Sequence, residues 1–239
     1  MPTVRAVFFD FGGTLYDYAT LEAAEAESLV ELARWAGSAA EPAAILRAHR
    51  EALRRVFHVY LPRPFYLHRD LFRDALTDML QSLGAPVDAE QLARHRAAQW
   101  RRHARDFRLR DGVVETLQTL RRRGVHLGIV SNIDEDQLAH LLPLADIAAY
   151  FDSVLSSERA RSCKPDRGIF EAALRHAGCP AAEGLFVGDT LAQDIAGANQ
   201  VGLRSALLWH RNDRDPPNTL PRPDHVIRHI PDVLELLQP

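Results

Sequence analysis

Val7-Phe8-Phe9-Asp10-Phe11-Gly12-Gly13-Thr14-Leu15 begins as an apolar run and stops at a carboxylate that two glycines follow almost at once. The run from Val4 to Phe9, with Arg5 near its edge, reads as a strand buried on both faces of a parallel sheet. An Asp at the carboxyl end of such a strand lies where open α/β sheets place their ligands. The glycines let the backbone approach a bound group and expose its N–H donors. Taken alone, the segment is equally well a turn opened by Asp and completed by Gly-Gly. Later segments separate the two readings.

A chain of 239 residues accommodates one large domain, or a core domain with a smaller insert. Its 46% hydrophobic and 26% charged residues are those of an ordinary globular protein, and a net charge of −3 argues against a nucleic-acid partner. Two cysteines, Cys163 and Cys179, are too few for a disulfide framework and suit a reducing cytosol. Neither a secretory leader nor an apolar run of membrane-spanning length is seen, so the expected location is cytoplasmic. Nearly every basic residue is arginine, and Lys164 is the only lysine.

Helical periodicity covers Leu21–Trp35, Pro42–Val56, Arg69–Leu83 and Asp88 to about Arg105. Between the second and third helices lies an aromatic loop, His58 to Tyr66, interrupted by Pro62 and Pro64. The stretch 16–106 is therefore read as an insert of four helices. From Gly112 the rhythm changes. Strands are expected at Val125–Val130, Phe151–Leu155, Leu185–Val187, Arg204–Leu208 and His225–Ile227. Helices alternate with them at Val113–Arg123, Glu135–Leu142, Asp166–Ala177 and Leu191–Val201, and Ile230–Leu237 closes the chain after a Pro- and Asp-rich loop at Arg211–Pro223. This alternation implies right-handed βαβ units and a parallel sheet.

Three more segments place polar groups at strand ends. Val130-Ser131-Asn132 ends the second strand, although Ser-Asn there also suits a helix cap. Cys163-Lys164-Pro165-Asp166 puts the lone lysine ahead of a helix, where a cation and free N–H donors suit a phosphate. Gly188-Asp189-Thr190 ends a strand, with Asp194 about one helical turn on. Asp189 and Asp194 are separately explicable as a cap and a solvated residue. With Asp10 they are carboxylates converging at one sheet edge, an arrangement that a hard divalent cation such as Mg²⁺ would stabilise.

Four such segments in this order resemble the haloacid dehalogenase (HAD) superfamily of phosphohydrolases. Asp10 to Leu15 is similar to its first motif, Ser131 to its second, Lys164-Pro165-Asp166 to its third, and Gly188-Asp189 with Asp194 to its fourth. The resemblance implies an α/β fold with a Rossmann-like parallel core formed by residues 1–15 and 107–239. It covers nearly the whole chain and implies a helical C1 cap at 16–106. It also implies that Asp10 attacks phosphorus to form an aspartyl-phosphate. Mg²⁺ would be held by Asp10, the Gly12 carbonyl, Asp189 and Asp194, while Ser131 and Lys164 would hold the phosphoryl oxygens with Asn132 beside them. The implied partner is a small phosphorylated metabolite, and the assembly a monomer or homodimer.

One position departs from the family pattern. Gly12 stands where most of its phosphatases carry a second Asp that protonates the leaving group, a function whose loss costs roughly 10²–10⁴-fold. Either a residue of the cap replaces it (His58, Tyr66 or His68), or the substrate has a good leaving group, or the protein is an impaired binding or regulatory member. A Schiff-base mechanism like that of phosphonoacetaldehyde hydrolase is excluded by the lack of a second lysine. Dehalogenation is disfavoured because Asp189 and Asp194 suggest a metal. Arg63, Arg69 and the aromatics Tyr60 and Phe65 in the cap loop are candidate specificity residues or, as readily, packing.

Overall fold

The computed structural model describes residues 3–210, 215–216 and 219–237. The chain divides into two compact units, Met1–Asp17 with Arg108–Pro239, and Tyr18–Phe107.

The first unit opens with β1 (Ala6–Phe9), fully buried as its apolar run requires. In the second, a short 3₁₀ turn leads to α1 (Glu22–Trp35), α2 (Pro42–Tyr60), α3 (His68–Ser82) and α4 (Ala89–Asp106). Leu29, Leu32, Ala33, Ile45, Ala52, Met79 and Leu80 form its core. Helix α2 runs through His58 to Tyr60, beyond the expected Val56. Nothing before Pro62 forbids helix, so the proline alone sets the end. Trp35 and Trp100 are half-buried, and each carries an arginine on its ring face, Arg94 at 4.0 Å and Arg96 at 4.9 Å.

The first unit resumes with α5 (Val113–Arg122), β2 (His126–Ser131), α6 (Glu135–Ala145), β3 (Ser153–Ser156), the short α7 (Ser157–Ala160) and α8 (Arg167–Ala177). It continues with β4 (Gly184–Gly188), α9 (Ala196–Gln200), β5 (Arg204–Leu208) and β6 (His225–Ile227). The six strands form one parallel sheet in the order β3-β2-β1-β4-β5-β6. Side chains alternate across it. Phe8, Val130, Phe170, Phe186 and Ala198 pack on one face, while Phe9 meets Phe151 edge-on. Phe9 is in register with Ile129 and Val187, which brings the ends of β1, β2 and β4 to the same edge.

Two expectations change. Residues 191–201 are not a continuous α-helix: a five-residue π turn, Leu191–Ile195, precedes α9. The extra residue in the turn is a local winding that helical periodicity does not register, and such turns gather at functional sites. The closing helix is a 3₁₀ turn, Ile230–Leu234. Of the expected 211–223 loop, residues 211–214 and 217–218 lie outside the described residues. No helix among the described residues is long and apolar enough to cross a membrane.

Candidate active site

The sheet edge beyond β1 gathers the polar segments. Asp10 is anchored by its own N–H to the Val187 carbonyl at 2.9 Å, so its side chain stands between β2 and β4. Two donors meet on its Oδ1: Ser131 Oγ at 2.8 Å and Lys164 Nζ at 2.7 Å. The Lys164 ammonium also donates to Asp194 Oδ1 at 2.6 Å. Asp10, Asp189 and Asp194 each offer an oxygen, all within 4.8 Å of one another.

Lys164 is only 3% exposed, a buried cation rather than a surface one. It also does not act through the helix behind it. The N-terminus of α8 is capped by Asp166, which accepts from Gly168 N, and Ser162 Oγ accepts from Ile169 N. The ammonium instead reaches past Phe186 to the carboxylates. Nor do Ser131 and Asn132 cap the next helix, whose N-cap is Asp134. Asn132 holds Lys164 in place. Its Oδ1 accepts from Lys164 N at 2.7 Å, and its Nδ2 donates to Lys164 O and Gln193 Oε1, each at 3.0 Å.

The π turn aims Asp194. Its Oδ2 accepts from Thr190 N at 2.9 Å and Thr190 Oγ1 at 2.6 Å, leaving Oδ1 directed at Lys164. Asp189 accepts from Thr14 Oγ1 at 3.1 Å. Gly13 has φ +87°, and a Cβ there would lie 2.5 Å from Asp189 Oδ2. Only glycine lets the loop pass so close to that carboxylate.

The charges do not balance: three carboxylates face one ammonium. Burial pushes the Asp189 carboxyl up to about 7, and the Asp10 and Asp194 charges add to the push. Burial alone would lower the Lys164 ammonium, but Asp10 and Asp194 overcome it and hold it above its usual range. Burial raises Asp10 too, against the pull of Lys164 and Ser131. The donor set, carboxylate oxygens with a buried glycine-rich backbone alongside, fits a hard oxygen-seeking cation such as Mg²⁺.

The remaining predicted residues belong to the helical unit. His58 is exposed on α2. Tyr66 and His68 are buried in an aromatic cluster in which Tyr66 lies 5.5 Å from Tyr60 and 4.9 Å from His68. Arg63 lies over the Tyr60 ring, whose hydroxyl donates to Asp74. Thr14, Thr190, Gln193 and Arg110 were not singled out from sequence. Thr14 stands inside the first motif, but its partner is 175 residues away.

A sequence model of haloacid dehalogenase-like hydrolases matches residues 4–202, and the chain belongs to this family of hydrolases. It is 28% identical to a ribulose-1,5-bisphosphate 5-phosphatase of Halopiger xanaduensis over 97% of this chain and 98% of that one. It is 30% identical to human haloacid dehalogenase-like hydrolase domain-containing protein 3 over 88% of this chain and 86% of that one. The solved L-2-haloacid dehalogenase RSc1362 superposes with a TM-score of 0.76 at 26% identity, over 99% of this chain and all of that one.

Proposed function

We propose that the protein is a Mg²⁺-dependent phosphomonoester phosphatase of a small phosphorylated metabolite, with the helical unit acting as its cap. The observation that carries this reading is the convergence of Ser131 and Lys164 on Asp10 beside Asp189 and Asp194, three carboxylates against one ammonium. Asp10 attacks phosphorus, the leaving oxygen departs, and water then hydrolyses the aspartyl-phosphate. Ser131 and Lys164 lie within reach of Asp10 Oδ1 and so of phosphoryl oxygens bound beside it. Asp10, Asp189, Asp194 and the Gly12 carbonyl would hold Mg²⁺, which when bound offsets the excess negative charge of carboxylates and phosphate.

Gly12 supplies no proton. The reading therefore favours substrates whose leaving group is good without one, such as acyl or anomeric phosphates, unless His58, Tyr66 or His68 donates. The test is hydrolysis with and without Mg²⁺ across alkyl, sugar, sugar bisphosphate, aryl, acyl and anomeric phosphates, with an L-2-haloacid included. Turnover confined to good leaving groups is the expected result. Turnover of alkyl esters that His58→Ala or His68→Ala abolishes would place the acid in the helical unit. Silence on every phosphate with Mg²⁺ still bound would instead support the binding or regulatory reading. Dehalogenation unaffected by chelator would overturn the metal assignment.

The acidity of Asp189 predicts how metal and pH interact. Its folded carboxyl holds a proton up to about pH 7, well above the ordinary carboxylate range, so this group costs the metal-free fold stability as pH rises through that window. Protons also compete with the cation. Saturating Mg²⁺ is therefore expected to raise the Tm more at pH 8 than at pH 6. An equal rise at both values would remove Asp189 from the ligand set.

A further inference from the structure

We propose that Arg110 is a positioning residue that fixes the Gly12-Gly13 backbone in its metal-binding form, an inference that rests on the Mg²⁺ reading above. Successive glycines are the softest point of a chain, because neither restricts its own φ and ψ. A ligand carbonyl on Gly12 needs that softness removed. Carbonyls on both sides of it are committed to partners. Phe11 O accepts from Leu15 N at 2.9 Å, Tyr16 O accepts from Gly13 N at 2.9 Å, and Leu15 O accepts from Arg110 N at 2.9 Å. Gly13 O accepts two bonds from one guanidinium, Arg110 Nε at 3.0 Å and Nη2 at 2.8 Å. The third arm, Nη1, donates to Asp17 Oδ2 at 2.9 Å, and the Arg110 side chain is 15% exposed.

This arrangement uses what distinguishes arginine from lysine: a rigid planar fork that is always charged. With the guanidinium held by Asp17 and its backbone by Leu15, Arg110 fixes the Gly13 carbonyl on one side of the Gly12–Gly13 peptide, whose own N–H donates to Tyr16 O, and the Phe11 carbonyl is fixed on the other. The same loop approaches Asp189 so closely that a Cβ on Gly13 would overlap it. A displaced Gly13 would therefore disturb that carboxylate as well as the Gly12 carbonyl.

The test is Mg²⁺ binding to the whole chain by calorimetry without substrate, alongside thermal melts, for wild type, Arg110→Ala, Arg110→Lys and Asp17→Asn. Arg110→Ala is expected to weaken Mg²⁺ about 10–100-fold, the usual cost of losing a group that orients a ligand. Arg110→Lys, which keeps a positive charge but loses the planar fork, is expected to fall between alanine and wild type. Asp17→Asn, which keeps the guanidinium but loosens it, is expected to weaken Mg²⁺ less than Arg110→Ala and serves if that variant fails to fold. In kinetics the apparent Mg²⁺ requirement is expected to rise while kcat at saturating Mg²⁺ changes little. Lower Tm with wild-type Mg²⁺ affinity in both Arg110→Ala and Asp17→Asn would show a merely structural role and overturn the proposal. Wild-type protein that binds no Mg²⁺ would overturn the underlying reading first, before any variant is compared.

Discussion

Asp10→Asn is expected to lower phosphatase turnover by about 10⁴-fold or more, the scale on which removal of a covalent nucleophile acts. The substitution is close to isosteric. An asparagine Oδ1 can still accept the bonds that Ser131 Oγ and Lys164 Nζ now make to Asp10. It also removes one of three carboxylates gathered within 4.8 Å, so like-charge repulsion in the metal-free protein falls. The variant should accordingly fold, with Tm equal to or above that of wild type, while activity disappears. Loss of activity with stability retained separates a chemical role from a structural one. Acid quench during turnover of a substrate labelled in its phosphoryl group adds a direct readout: wild-type protein should carry label and the variant none. Turnover within tenfold of wild type would mean that Asp10 is not the nucleophile.

How much of this was legible in sequence depended on the range of the interaction. The β1 run announced itself because a central parallel strand is buried on both faces and must be apolar throughout. The four helices of 18–107 were visible because each writes its buried face locally, at helical spacing. Lys164 was conspicuous only because the rest of the chain uses arginine. The same habit hid Arg110, one more arginine among many, whose partners Gly13 and Asp17 lie more than ninety residues back. The structural partner of Asn132 is hidden too, because nothing local reveals that its amide faces the backbone of residue 164.

Gly12 illustrates the opposite case, a local absence with a distant meaning. As a site for general acid catalysis it is empty of chemistry. As part of Gly12-Gly13 it belongs to a loop whose close passage along Asp189 excludes any side chain at the second glycine. The motif can keep the geometry of a cation site while lacking the acid, which is why leaving-group dependence is the informative axis for substrates and Mg²⁺ affinity the informative axis for the loop.

Lys164→Met is expected to destabilise the metal-free protein by about 3–5 kcal/mol at pH 8, because removing one partner strands buried charge. The ammonium is the shared counter-ion of Asp10 and Asp194, at 2.7 and 2.6 Å, and all three side chains are nearly fully buried. Methionine matches the aliphatic stem against Phe186 but leaves both carboxylates with no cation. Asp10, already raised by burial, then loses the Lys164 pull that opposes the rise, so the variant binds protons more readily folded than unfolded and regains stability as pH falls. The gap between wild type and variant should therefore narrow from pH 8 to pH 5 in urea titrations, and Mg²⁺ at pH 8 should close part of it by supplying the missing positive charge. Activity should stay about 10²–10³-fold down even with Mg²⁺, since a cation at the carboxylates does not replace the donor that Lys164 presents to phosphoryl oxygens. A loss below about 1 kcal/mol at pH 8, or one independent of pH, would show that the lysine is not the charge that holds this cluster together.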